Sequence, residues 1–166
     1  MIDLIEKIVM ETSISFRFLM LTMIVLGLRQ VKSRAVPPGP MIIISCLMLG
    51  FSFYGMVLAF SGSVLSMGVW FFALISTFFM FRNLDYPRDW SFDPMTKNLI
   101  IPGSWLPLLL IIFIFALRLF VRYQIRNLSS LIHSSVFLLS ISSIYGFLSG
   151  IFAYRTWHAF LLSRRK

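Results

Sequence analysis

Marked only as apolar or polar, the 166 positions of the chain fall into long apolar runs separated by short polar breaks. The runs centre on residues 14–28, 41–60, 64–81, 105–121 and 131–154. Each approaches the roughly 20 residues that a helix needs to cross about 30 Å of hydrocarbon. They predict five transmembrane helices, over 3–29, 39–60, 64–81, 105–123 and 131–158, with a loop at 82–103. Ahead of the first run, Ile2, Ile5, Ile8 and Val9 recur at helical spacing between Asp3, Glu6 and Lys7. That amphipathic stripe extends the first helix through the headgroup region. Arg17 then has two outlets, snorkelling to the interface or pairing with Glu11.

The breaks carry turn chemistry. Only Ser61-Gly62-Ser63 separates the second and third runs, which forces an antiparallel helical hairpin. Pro37, Pro38, Gly39 and Pro40 mark the start of the second run, where proline suits a loop or a first helical turn. In the 82–103 loop, "RDWSFDPMTKNLII" reads as two short strands about a turn at Asp93-Pro94-Met95-Thr96. Trp90 and Phe92 are expected as interfacial anchors of this hairpin. The expected fold class is an all-α membrane protein. It is a single domain over 1–166, a five-helix transmembrane bundle with a small β-hairpin-like loop between helices three and four.

Composition strengthens this picture. Hydrophobic residues make up 58% of the chain and charged residues 13%, against about 45–50% and about 25% in soluble domains. The mean hydropathy is +0.88. The net charge of +9 would point to nucleic acid in a soluble chain. Here the basic residues cluster at the ends of the runs, which assigns them to topology and lipid headgroups and argues against a nucleic-acid partner. With the N-terminus outside, ten Lys and Arg fall in the inner segments: Arg29, Lys32, Arg34, Arg82, Arg88, Lys97, Arg155, Arg164, Arg165 and Lys166. Three fall outside, namely Lys7, Arg122 and Arg126, or four with Arg118. The positive-inside rule therefore favours an N-out, C-in, multi-pass arrangement. Cys46, the one cysteine, excludes an internal disulfide and sits in an apolar run as a small hydrophobe. The acidic N-terminus lacks the basic start and cleavage site of a signal peptide, so the segment is expected to be retained.

The fourth run opens on "NLIIPGSWLPLLLIIF", with two prolines, a glycine and a serine where a helix begins. The first N–H groups of a helix have no intrahelical partner, so Pro107 loses nothing there. Ser104 caps the N–H of Leu106, or the helix begins at Pro107 with Leu106 extended before it. Trp105 belongs at headgroup depth in either case. The stretch "PGSWLPLLLIIFIFALRLFVRY" resembles a family of small, functionally uncharacterised bacterial integral membrane proteins. "GLRQVKSR", "FDPMTKNLIIPGS" and "GFLSGIFAYR" carry the likeness along the chain in the same order, while "TSISF" departs where a threonine-proline start is expected. The resemblance implies a membrane fold and a bacterial inner-membrane setting, and brings no activity with it.

Three sets of residues are candidates for sites. Arg29, Gln30, Arg82, Ser104, Trp105, Arg155 and His158 all end or begin helices at the expected cytoplasmic face. They form either a rim for an anion or headgroup, beside the positive N-terminus of helix four, or a set of independent topology anchors. Arg118, Arg122 and Arg126 form a ladder one turn apart on helix four, suited to phospholipid phosphates or to an anion pore. Ser142, Gly146 and Gly150 permit close helix approach, within the chain, in a homodimer or with a membrane-protein partner. His133 and His158 are 25 residues apart, roughly 38 Å along a helix, too far to share a metal. No motif implies a cofactor, and no catalytic constellation marks an enzyme. The leading reading is a structural, interaction or lipid-contacting membrane protein. A small-solute transporter or channel subunit is the alternative, and a membrane-embedded enzyme comes third.

Overall fold

The computed structural model describes residues 14–84, 89–127 and 134–164, with the side chains of 15–17 left out. Among the described residues there are five helices and three short strands. In chain order they are α1 (Ile14–Leu28), β1 (Arg34–Val36), α2 (Pro38–Ala59), α3 (Val64–Asn83), β2 (Ser91–Asp93), β3 (Asn98–Ile101), α4 (Leu106–Asn127) and α5 (Ser135–Arg164). The helices α2, α3, α4 and α5 are long and apolar enough to cross a membrane. The 15 residues of α1 rise about 22 Å, short of a full span. The expected extension of α1 over 3–13, and the pairing of Arg17 with Glu11, fall outside what is described.

Local chemistry sets the helix ends. Pro38 occupies the first turn of α2, where its missing N–H costs no hydrogen bond. That helix stops where Ser61 and Gly62 take positive φ of 49° and 71°, and the Val57 carbonyl accepts the Gly62 N–H at 3.1 Å. The resulting turn folds α3 back against α2. At the start of α4, the Ser104 Oγ accepts the Leu106 N–H at 3.2 Å, and Pro107 is buried in the first turn. Of the two expected starts, the one with a capping serine is therefore realised. The last two helices run further than their apolar runs predicted, to Asn127 and Arg164. Polar ends can continue a helix once its apolar part is packed.

The expected hairpin is one part of a three-stranded antiparallel sheet ordered β1-β3-β2. β3 pairs with β2 as expected, Phe92 opposite Leu99, and also with β1, Ala35 opposite Ile100. The chain is thus not wholly α, and the linker after α1 is structured. Gly103 locks the sheet to that linker. Its N–H donates to Ser33 Oγ at 3.1 Å, the Ser104 N–H donates to the Gln30 carbonyl, and a Cβ on Gly103 would collide with the Val31 carbonyl. Trp90 is also placed differently from the expected interfacial anchor. It is buried with Leu99, Ile101 and Ala159, so the sheet packs onto the end of α5 through its own apolar face.

α5 forms the centre of the helical core, and its closest partner is α3. Tyr145, Leu148, Ile151 and Phe152 of α5 pack with Met48 and Met56 of α2 and Ile111 and Ile114 of α4. α1 lies against α4, where Gly27 leaves room for Leu108; a Cβ there would be 2.8 Å from its Cδ1. Consecutive helices run in opposite directions, so the sheet marks one end of the bundle. The ends of α2 and α4 and the start of α5 mark the other.

Candidate functional site

A cavity of about 510 Å³ opens between α2, α4 and α5 toward the end away from the sheet. It lies within the roughly 300–1,000 Å³ of ordinary ligand pockets. One wall is α4, which contributes Arg118, Arg122 and Arg126 together with Val121. Residues four apart on a helix stack on one face, so the turn-by-turn spacing brings all three guanidinium groups to the same opening. Opposite stand Gly55, Leu58 and Ala59 of α2, and Tyr145 of α5 closes the deep side. Among the described residues the lining therefore has three positive charges and a phenol.

Arg118 lies deepest. It is twelve residues past Leu106, about 18 Å along α4. Its guanidinium sits 4.6 Å from the centre of the Phe51 ring and 5.4 Å from that of Tyr54. The negative ring faces stabilise a cation there by about 0.5–2 kcal/mol. Arg122 and Arg126 are exposed at the mouth. Gly55 supplies space: a Cβ in its place would already touch the Tyr145 Oη at 3.5 Å.

The deep wall is braced by a polar network that the sequence reading did not pick out. Ser52 Oγ accepts the Trp70 Nε1–H at 3.3 Å and the Ser149 hydroxyl at 2.7 Å, and donates to the Tyr145 carbonyl at 3.1 Å. The Ser149 hydroxyl is also 2.8 Å from that carbonyl. One buried serine thus ties α2, α3 and α5 together beside the residue that closes the cleft. Its signal was available as isolated serines inside apolar runs, because hydroxyls in apolar surroundings need partners.

The small residues of α5 face α3. A Cβ on Gly146 would strike the Trp70 carbonyl and come within 2.7 Å of the Ala73 Cβ, and one on Gly150 would lie 2.6 Å from the Thr77 Cβ. Ser142 is fully buried on the same helix. This close approach is within the chain.

The seven rim residues all lie at the sheet end, in two groups. Around the end of α1, the Gln30 carbonyl meets the Ser104 N–H, and burial, with the nearby Arg29 charge, lowers the pKa of the Arg34 guanidinium. Trp105, beside Ser104, is exposed, and so is Arg82 at the end of α3, which no contact ties to either group among the described residues. Around the end of α5, Arg155 is buried with its guanidinium 5.1 Å from the Trp90 ring. The His158 ring lies tilted against those of Trp90 and Tyr154, with centroids 5.7 and 6.0 Å away. Arg155 and His158 are thus part of the seam between sheet and helix. His133, Arg165 and Lys166 lie outside the described residues.

Comparison with curated proteins and with solved structures found no match. The sequence profile of DUF6622, described as a family of unknown function, matches residues 2–166. The likeness noted along the chain accords with that coverage, and the protein belongs to DUF6622.

Proposed function

We propose that this chain is a multi-pass membrane protein that binds an anionic headgroup, a phosphate or a carboxylate, in the cleft between α2, α4 and α5. The observation that carries the proposal is the convergence of Arg118, Arg122 and Arg126 on one cavity, beside the Tyr145 phenol. An arginine deep in the bilayer costs roughly 2.5–3.5 kcal/mol on insertion scales, and such residues are usually functional. Cation–π contacts offset part of that cost, and an anion in the cleft would offset more. The planar fork of a guanidinium suits phosphate and carboxylate oxygens. Three forks one turn apart suit a headgroup that enters along the helix.

The charge count supports an N-out orientation, in which the cleft faces the outer leaflet and the sheet lies on the cytoplasmic side. The family resemblance supports a bacterial inner membrane. The test is native mass spectrometry of the full chain released from nanodiscs of phosphatidylcholine doped with phosphatidic acid. The wild type should retain phosphatidic acid. Replacing Arg118, Arg122 and Arg126 together with glutamine should reduce retention by about tenfold or more, as expected when charge-assisted hydrogen bonds are lost. The exposed sheet-end change Arg29→Gln should not. Equal retention by all three proteins overturns the proposal.

A further inference from the structure

A second cavity, of about 560 Å³, lies between α1 and α2. Its walls are apolar: Leu19 and Met23 from α1, and Ile43, Leu47, Gly50 and Tyr54 from α2. The α2 residues are three or four apart, so they form one stripe on that helix. The same stripe continues to Leu58, which lines the arginine cleft. Phe51 and Tyr54 stand at the junction: both line the groove, and both rings carry the Arg118 guanidinium. The apolar groove and the cationic cleft therefore adjoin along α2, at Phe51 and Tyr54.

We infer that the occupant is a phosphate-bearing lipid, with one hydrocarbon chain along the α1–α2 groove and its phosphate at Arg118, Arg122 and Arg126. The inference rests on the anion-binding reading of the cleft and adds the chain to it. Two dimensions favour a lipid over a free anion. From Ile42 to Tyr54 the groove follows α2 for about 18 Å, slightly more than half of the roughly 30 Å hydrocarbon thickness, as an acyl chain from one leaflet requires. The polarity also changes once along that path, from a mainly apolar lining to three arginines, and an amphiphile has the same single change.

Gly50 provides the test, because a Cβ built on it meets no atom of the described residues within 4 Å. Gly50→Phe fills the groove without touching the cleft. Full-length wild type, Gly50→Phe and Arg122→Gln are compared in nanodiscs for binding of dioleoyl phosphatidic acid and of inorganic phosphate. Gly50→Phe should weaken dioleoyl phosphatidic acid by about tenfold, through lost chain burial, and leave phosphate binding unchanged. Arg122→Gln should weaken both. If Gly50→Phe holds the lipid as the wild type does, the chain lies elsewhere and the inference fails while the cleft reading stands. If Arg122→Gln binds both probes like the wild type, the cleft reading fails and the inference with it. A second readout needs no groove variant. Cys46 lines the groove and is the single cysteine of the chain. Dioleoyl phosphatidic acid should slow its alkylation by N-ethylmaleimide severalfold, whereas inorganic phosphate should not. Equal rates with and without the lipid overturn the inference, and so does protection by phosphate alone, which would mark a free-anion site.

Discussion

The Arg118 guanidinium stands 4.6 Å from the centre of the Phe51 ring, and Phe51 itself tilts against Phe115 at 4.9 Å. The ring therefore has two roles, one as a platform for a cation and one as packing between α2 and α4. A double-mutant cycle separates them. Phe51→Leu alone should lose packing and cation–π energy together. In the cycle with Arg118→Gln the coupling should be about 0.5–2 kcal/mol, read from reversible unfolding in mixed micelles. Strictly additive losses would reduce the ring to packing.

Ser52 and Ser149 belong to one network yet should not be equivalent. Ser52→Ala strands the Trp70 Nε1–H and deprives both the Ser149 hydroxyl and the Tyr145 carbonyl of a partner. Ser149 can still turn to that carbonyl at 2.8 Å. Ser149→Ala leaves Ser52 donating to Tyr145 and accepting from Trp70. Single hydrogen bonds between membrane helices average about 0.6 kcal/mol, with a maximum near 1.7. Ser52→Ala should therefore cost about 1–2 kcal/mol and Ser149→Ala roughly half as much in the same unfolding assay. A larger loss for Ser149→Ala would show that the bonds run through a different hydroxyl arrangement.

Glycine substitutions should divide by location, not by residue type. Gly146→Ala places a methyl group on the Trp70 carbonyl, and backbone cannot give way as a side chain can. It should push α3 from α5 and cost about 1–3 kcal/mol, the usual range for overpacking. Gly68→Ala, on α3 with no atom of the described residues within 4 Å of the new one, should be neutral or stabilise by up to about 1 kcal/mol through helix propensity. Melting temperatures of the two variants in one detergent decide the matter. If both fall equally, the close approach of α3 and α5 is not what Gly146 serves.

The long elements were legible because apolar runs and short breaks act locally. The second run, expected over 39–60, is α2 at Pro38–Ala59, and the third, expected from 64, is α3 at Val64–Asn83. The capping of α4 by Ser104 was readable for the same reason, since donor and acceptor are two residues apart. β1 was not. Three residues, Arg34-Ala35-Val36, form a strand only because β3, more than sixty residues later, supplies the pairing. No local period can announce such a strand. The burial of Trp90 depended on that sheet, so it was misread as an interfacial anchor. The arginine ladder could be seen as a spacing, but the cleft it lines needed Gly55 and Tyr145 from two other helices.

The turn between β2 and β3 yields a prediction in pH. The Asp93 carboxylate accepts the Thr96 hydroxyl at 2.8 Å and the Met95 N–H at 2.9 Å, and these bonds lower its pKa. An Asp in an unfolded chain titrates near about 3.9. Because the folded value lies below that, the charged form binds the turn more tightly than the protonated form does. Its contribution is complete above the unfolded value and is lost as pH falls through the folded one. The Thr96 hydroxyl is the largest cause, so Thr96→Val should raise the Asp93 midpoint toward the unfolded value, followed by the carboxyl carbon shift in NMR. Asp93→Asn keeps an oxygen for the Met95 N–H but cannot titrate, and its β2–β3 amides should exchange at a rate free of this acid transition. An unchanged midpoint in Thr96→Val would remove the hydroxyl as the cause. A transition persisting in Asp93→Asn would assign the acid sensitivity of the hairpin to another group.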